Sequence, residues 1–171
     1  MLTALVVSVV ATTFPGLMAL AAAMDLMTMT IPNAIPLALA LGYLVLAAAV
    51  ALPPATLAFG LSCGLAVLVA SFLMFCRHWI GGGDAKLAAA TALWLGWGAI
   101  LDYALAAAII GGVLTLAVLA SRAGPLPKIL ARRRFIARLC RPDAGVPYGI
   151  ALAAAGLLEF PHSAAWLAAA G

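Results

Sequence analysis

The chemistry open to this chain rests on very few side chains. Of 171 residues only five are acidic: Asp25, Asp84, Asp102, Asp143 and Glu159. Asp84 follows three glycines, Gly81, Gly82 and Gly83, in the stretch WIGGGDAKLAAA, and it opens an apolar run. Asp25 closes an earlier apolar run, a few residues ahead of Ile31-Pro32-Asn33. A carboxylate held at membrane depth is costly, so each such group is a candidate for function before it is a candidate for structure. Two of them at close range do not both ionise readily; one keeps a proton and the other acts as a base. The base can draw a proton from water that attacks a peptide carbonyl. The acid polarises that carbonyl and then protonates the leaving amine.

Asp25 and Asp84 are the pair able to meet, if the two apolar runs they border pack together. Asp102 follows Asp84 by 18 residues of nearly continuous apolar sequence, which as a single helix would hold the two roughly 27 Å apart. Glu159 falls midway along the last apolar run or beyond it, and Asp143 sits among arginines. The glycines before Asp84 leave a backbone without Cβ atoms, able to take φ > 0 and to let a second backbone, such as a peptide substrate, come close. The plainer reading of the same run is a flexible turn.

Other polar groups have two readings each. Lys86 could dock a substrate carboxylate or hold a lipid head group. Tyr148 could orient a carboxylate through its hydroxyl or anchor an interface. Pro32 and Pro147 suit the first positions of helices. His78 beside Arg77 reads as a head-group contact, and no second His or Cys lies at ligand spacing, so no metal is expected. Cys63, Cys76 and Cys140 form no CxxC pair and read as small apolar fillers. No pattern calls for a cofactor.

The elements that would position these groups follow from composition. The chain is 67% hydrophobic and 8% charged, where about half apolar is usual for a soluble domain. A spanning helix takes roughly 20 apolar residues. The fold expected is an all-α polytopic membrane protein, a single domain over residues 1–171, with apolar segments at about Leu2–Met24, Asn33–Ala51, Ala55–Cys76, Ala85–Ile100, Tyr103–Ser121 and Val146–Ala170. Breaks are expected at Ile31-Pro32-Asn33, Pro53-Pro54, Gly81-Gly82-Gly83, Gly96 with Gly98, and Gly124-Pro125 with Pro127. Ala21-Ala22-Ala23 resembles a signal-peptide cleavage site, but Met1 to Ser8 lacks the basic residues such a peptide needs.

All nine Lys and Arg fall beside the third and fifth loops. Arg77 and Lys86 flank the third; Arg122, Lys128, Arg132, Arg133, Arg134, Arg138 and Arg141 fill the fifth, at about residues 122–145. Basic loops stay in the cytoplasm, which turns both termini outward and puts Asp25 and Asp84 at the cytoplasmic side. Trp94 and Trp97 then fit an outer aromatic belt. The net charge of +4 is a topology signal rather than a sign of nucleic-acid binding. The Arg-rich loop, interleaved with Ile, Leu and Phe, suits a short amphipathic helix on an anionic inner leaflet.

Three segments carry a family resemblance. Gly81-Gly82-Gly83-Asp84-Ala85-Lys86 has the GxGD pattern, DLMTMTIPN pairs Asp25 with Ile31-Pro32-Asn33, and VPYGIALAAAG runs from Val146 to Gly156. In this order they resemble the bacterial prepilin peptidases, in particular the short form associated with Flp/Tad pili. The resemblance covers most of the chain. It implies a six-span intramembrane aspartic endopeptidase of the bacterial inner membrane, removing the short basic leader of prepilins or pseudopilins at the cytoplasmic face. It puts catalysis on Asp25 and Asp84, with Gly81, Gly82, Gly83, Lys86, Pro32, Asn33 and Tyr148 around them. Two departures stand out. The stretch Leu26-Met27-Thr28-Met29-Thr30 lacks the basic residues usual after the first acid. The cysteine-bearing cytoplasmic insertion of the long-form enzymes, which also N-methylate their product, is missing, so peptidase activity without methylation is implied.

Two other readings stay open on the residues alone. A small proton-coupled transporter would use Asp84 and Glu159 along a pathway and would show repeats. An assembly subunit would dock a cytoplasmic partner through Arg132, Arg133 and Arg134.

Overall fold

The computed structural model describes residues 2–122, 134–141 and 144–170; most of the Arg-rich loop, and Asp143, lie outside the described residues. The described residues are helical, with no strand: α1 (Leu2–Thr28), α2 (Ala34–Ala49), α3 (Pro54–Cys76), α4 (Gly82–Arg122), a short α5 (Arg134–Leu139), α6 (Gly149–Glu159), a 3-10 turn (Phe160–His162) and α7 (Ala164–Ala170). Helices α3 and α4 are long and apolar enough to cross a membrane, while α2 and the segment Gly149–His162 are shorter apolar helices.

Several boundaries differ from those expected. Helix α1 runs past Met24 to Thr28, so Asp25 belongs to its last turn. Gly82 and Gly83 are not a turn but the first helical residues of α4. Within the last apolar segment the helix ends near Pro161, as its proline implies: the chain passes there into the 3-10 turn, because Pro161 cannot continue the hydrogen-bond ladder.

The break expected near Gly96 and Gly98 falls at Gly96, and it decides the architecture. A straight helix of the 41 residues of α4 would be roughly 60 Å long. Gly96 instead takes φ 65, ψ −176, a region essentially closed to residues with a Cβ. The chain doubles back there. Its first arm starts beside Asp25, and its second arm ends at Arg122, whose guanidinium donates to the Ala144 and Gly145 carbonyls (2.9 and 3.0 Å), a few residues ahead of Gly149. Both ends of α4 therefore lie at one end of the bundle. Asp84 and Asp102 are on opposing arms, so the single-helix separation read from the sequence does not apply.

α4 packs on α2, α3 and α6, and α1 packs on α2 and α6. At the end away from Asp84 an aromatic cluster closes the core. The Phe14 and Phe160 rings stack with centroids 4.4 Å apart, and Trp94 lies 5.2 Å from Phe14 and 6.0 Å from Phe160. Such pairs each add about 0.5–1.5 kcal/mol beyond their buried area. Trp94 is thus not a belt residue: it is 1% exposed and donates its indole N–H to the Leu39 carbonyl at 2.9 Å. Trp97 is exposed and bonds Ser62. In the middle of the bundle small residues let helices approach closely; a Cβ on Gly156 would stand 2.5 Å from Met18 and 3.2 Å from Thr91. Large apolar side chains such as Phe59, Leu65, Leu101, Val113 and Leu116 point outward from α3 and the second arm.

A Gly96→Ala substitution should destabilise the protein by about 1–3 kcal/mol through backbone strain alone, because a Cβ there meets nothing within 4 Å. Thermal unfolding in detergent checks this; an unchanged midpoint would show that the reversal tolerates a side chain.

Candidate active site

Helix α1 ends because Met29 turns left-handed (φ 57) and returns its N–H to the Asp25 carbonyl at 2.8 Å, the cap usually made by glycine. This leaves the Asp25 carboxylate in the last turn of a helix, where the dipole disfavours a negative charge. A second helix offsets that. Asp25 Oδ2 accepts the Gly149 N–H at 2.7 Å, and Gly149 is the first residue of α6, where unpaired N–H groups and the positive dipole end favour an anion. The Asp25 side chain is buried.

Asp84 is held by its own helix. It is the third residue of α4, and its carboxylate curls back over Gly81, interacting with the Gly81 backbone. A residue at this position reaching back to the cap is half of a capping box. The first helical bond, Ala85 N–H to the Gly81 carbonyl at 3.0 Å, closes the same turn. The two carboxylates are near enough to act on one another's charge.

Ile31 fixes their relation. A Cβ on Gly83 would stand 3.1 Å from Ile31 Cβ, and one on Gly149 would stand 2.7 Å from both Ile31 Cδ1 and Asp25 Oδ2. Ile31 is wedged between the residue before Asp84 and the residue that holds Asp25. The glycines before Asp84 are bare for reasons internal to the chain. Gly83 makes room for Ile31, Gly82 for the Phe75 ring, and Gly81 for the Asp84 carboxylate itself. None of the three takes positive φ.

The other residues singled out from the sequence surround this core with different roles. Lys86 Nζ donates to Asn33 Oδ1 at 2.9 Å, tying α4 to the start of α2. The Pro32 carbonyl accepts the Ile35 N–H at 3.0 Å and opens that helix. Tyr148 does not touch a carboxylate: its hydroxyl donates to the Ala107 carbonyl at 3.1 Å, and its ring fills the space left by Gly111. The stretch after Asp25, without basic residues of its own, receives one from α5, as Arg138 donates to the Met27 carbonyl at 3.2 Å. Glu159 is remote. With Asp102 and His162 it lines a separate cavity of about 570 Å³, and its Oε2 lies 3.6 Å from His162 Nδ1. The four acids among the described residues therefore gather at two ends instead of marking a path between them.

Asp84 also borders an apolar cavity of about 280 Å³ between α3, both arms of α4 and the start of α6. Ile31 and Gly149 lie inside recognisable segments whose pattern assigns them no role, and nothing in the sequence points to Tyr103, in the wall of this cavity. Periodicity carries no signal for such contacts between distant segments.

Two neighbouring carboxylates, one of them bordering an apolar cavity, are a candidate for aspartic-peptidase chemistry, which takes a base for water and an acid for the leaving amine. The chain matches the type IV leader peptidase family over residues 12–116, and it belongs to that family. The match takes in both acids, Ile31-Pro32-Asn33 and the glycine run, and it ends before Gly149. The protein is accordingly a membrane-embedded aspartic hydrolase. No curated protein sequence and no solved structure matches it.

Gly149→Ala should lower peptidase activity at least about tenfold, since the methyl group displaces a charge-assisted bond of the size usual for buried carboxylates. Gly145→Ala is the control, because a Cβ there meets nothing within 4 Å. Initial cleavage rates of the two variants, compared at equal folded protein, check the difference; equal rates would remove Gly149 from the site.

Proposed function

We propose that Asp25 and Asp84 are the catalytic pair, and that this peptidase removes the short basic leader from Flp-type prepilins or pseudopilins at the cytoplasmic face of the bacterial inner membrane. The observation that carries the reading is the convergence of two carboxylates from separate helix ends, knit together by Ile31. One carboxylate takes a proton from water as the water attacks the scissile carbonyl carbon. The other, protonated, hydrogen-bonds the carbonyl oxygen. As the tetrahedral intermediate collapses the C–N bond breaks, and the departing amine takes up a proton. The amine is then released unmodified, in keeping with the resemblance to the short form, which lacks the insertion of the methylating long-form enzymes.

The orientation proposed is a single domain of six spans with both termini outward. Its support is the company the two acids keep. Arg77 closes α3 and Lys86 lies one turn into α4, while Arg122 and Arg138 bond carbonyls at this same end. Basic residues face the cytoplasm, and an anionic leaflet is the natural partner of the Arg-rich loop.

Asp25→Asn and Asp84→Asn should each lower leader cleavage by about a hundredfold or more while leaving protein in the membrane. Co-expression with a Flp-type prepilin, followed by gel shift and mass spectrometry of the new terminus, checks this. Cleavage that survives either change sinks the pair, and a methylated terminus sinks the peptidase-only reading.

Topology has its own test in the native thiols. Cys76 is exposed at the end of α3 and Cys63 is buried. A membrane-impermeant maleimide should label Cys76 in inside-out vesicles and not in intact spheroplasts; the reverse pattern would invert the orientation.

A further inference from the structure

The cavity beside Asp84 is almost wholly apolar. Its polar lining side chains are Ser71, Asp84, Tyr103 and Tyr148. Two of these hydroxyls are committed within the fold. Ser71 Oγ lies 3.2 Å from both the Leu68 and Ala85 carbonyls, and the Tyr148 hydroxyl donates to Ala107. Tyr103 differs. Its side chain is 3% exposed, and its hydroxyl has no hydrogen-bond partner among the described residues. The Thr91 hydroxyl lies nearby, but its proton goes to the Leu87 carbonyl at 2.9 Å and it forms no hydrogen bond with Tyr103. A buried hydroxyl left unpaired costs free energy, so native structures rarely keep one without a use.

A peptide drawn up to Asp84 has a complementary need. The bond to be cut must be extended, so residues next to it lose their helical hydrogen bonds. In a water-poor setting each freed N–H or C=O needs a partner. We propose that the chain immediately following the scissile bond lies in this cavity, whose lining calls for apolar side chains, and that the Tyr103 hydroxyl hydrogen-bonds its backbone. Tyr103 is then a substrate-binding residue on the second arm of α4, facing Asp84 on the first. The doubling-back at Gly96 brings the two to one cavity. This assignment rests on the peptidase reading above.

The test uses the full-length protein in detergent and a synthetic peptide comprising a prepilin leader and the first apolar residues after it. Tyr103→Phe keeps the ring and removes only the hydroxyl. It should raise KM about tenfold, the loss of one hydrogen bond, with kcat within about twofold and the thermal midpoint no lower. An unchanged KM overturns the assignment, as does a fall in kcat alone. Ala104→Phe, at an exposed residue that lines the cavity, narrows the space without removing the hydroxyl, and it should slow cleavage; unaffected cleavage counts against the cavity. A photoreactive phenylalanine analogue placed directly after the scissile bond gives a readout independent of hydrolysis. Its cross-links should map to residues 100–108 or 67–74, and mapping elsewhere overturns the proposal. Cross-links at the cavity in a protein that does not cut the peptide would uphold the binding site and defeat the leader-peptidase reading instead.

Discussion

The bond from the Gly149 N–H to the Asp25 carboxylate is the contact on which the site depends. It joins the C-terminal turn of α1 to the N-terminal turn of α6, so two helix ends with opposite dipoles meet at one carboxylate. Each end alone would be poorly satisfied: the acid would face a repulsive field, and the first N–H of α6 would lack a partner in a setting short of water. The contact also leaves no room for a Cβ. The requirement for glycine at position 149 is thus steric and electrostatic at once.

Ile31 extends that contact to the second acid. An aliphatic side chain cannot bond either carboxylate, yet it touches the bare positions beside both. The left-handed turn at Met29 carries the chain from Asp25 back to this wedge. Asp84 completes the arrangement from a different helix through a cap made by its own side chain. The acids therefore sit on backbone that is fixed at helix ends, and neither depends on a long flexible side chain for its position. Close placement of reacting groups on rigid elements is what acid–base chemistry at a peptide bond demands.

The opposite end of the bundle has a different character. Stacked aromatic rings and a sharp reversal at Gly96 hold α1, α2, both arms of α4 and the last segment together. Asp102 and Glu159 lie beside a cavity there, apart from the first two acids. A rigid far end lets the two arms of α4 converge on the cavity that Asp84 borders, with the Tyr103 wall opposite.

The sequence by itself determined the class and the composition of the site. Two thirds apolar residues required a helical membrane protein, and the scarcity of carboxylates singled out Asp25 and Asp84 beside their glycines and Ile-Pro-Asn. The breaks at Ile31-Pro32-Asn33, at Pro53-Pro54 and at Gly96 were legible too, because such residues act locally on their own backbone, whereas Gly82 and Gly83 opened a helix where a turn was expected. What a residue touches across the fold was not legible. Trp94 reads as an interfacial ring and is a core residue; Tyr148 reads as a partner for an acid or an interface anchor and bonds a main-chain carbonyl; the glycines before Asp84 read as room for another molecule or a flexible turn and make room for Ile31, Phe75 and Asp84 itself. The 18 residues between Asp84 and Asp102 read as a length and became a reversal. Only the tertiary structure decided these, since a side chain's partner depends on which distant segment packs against it, and neither hydropathy nor spacing along the chain encodes that choice.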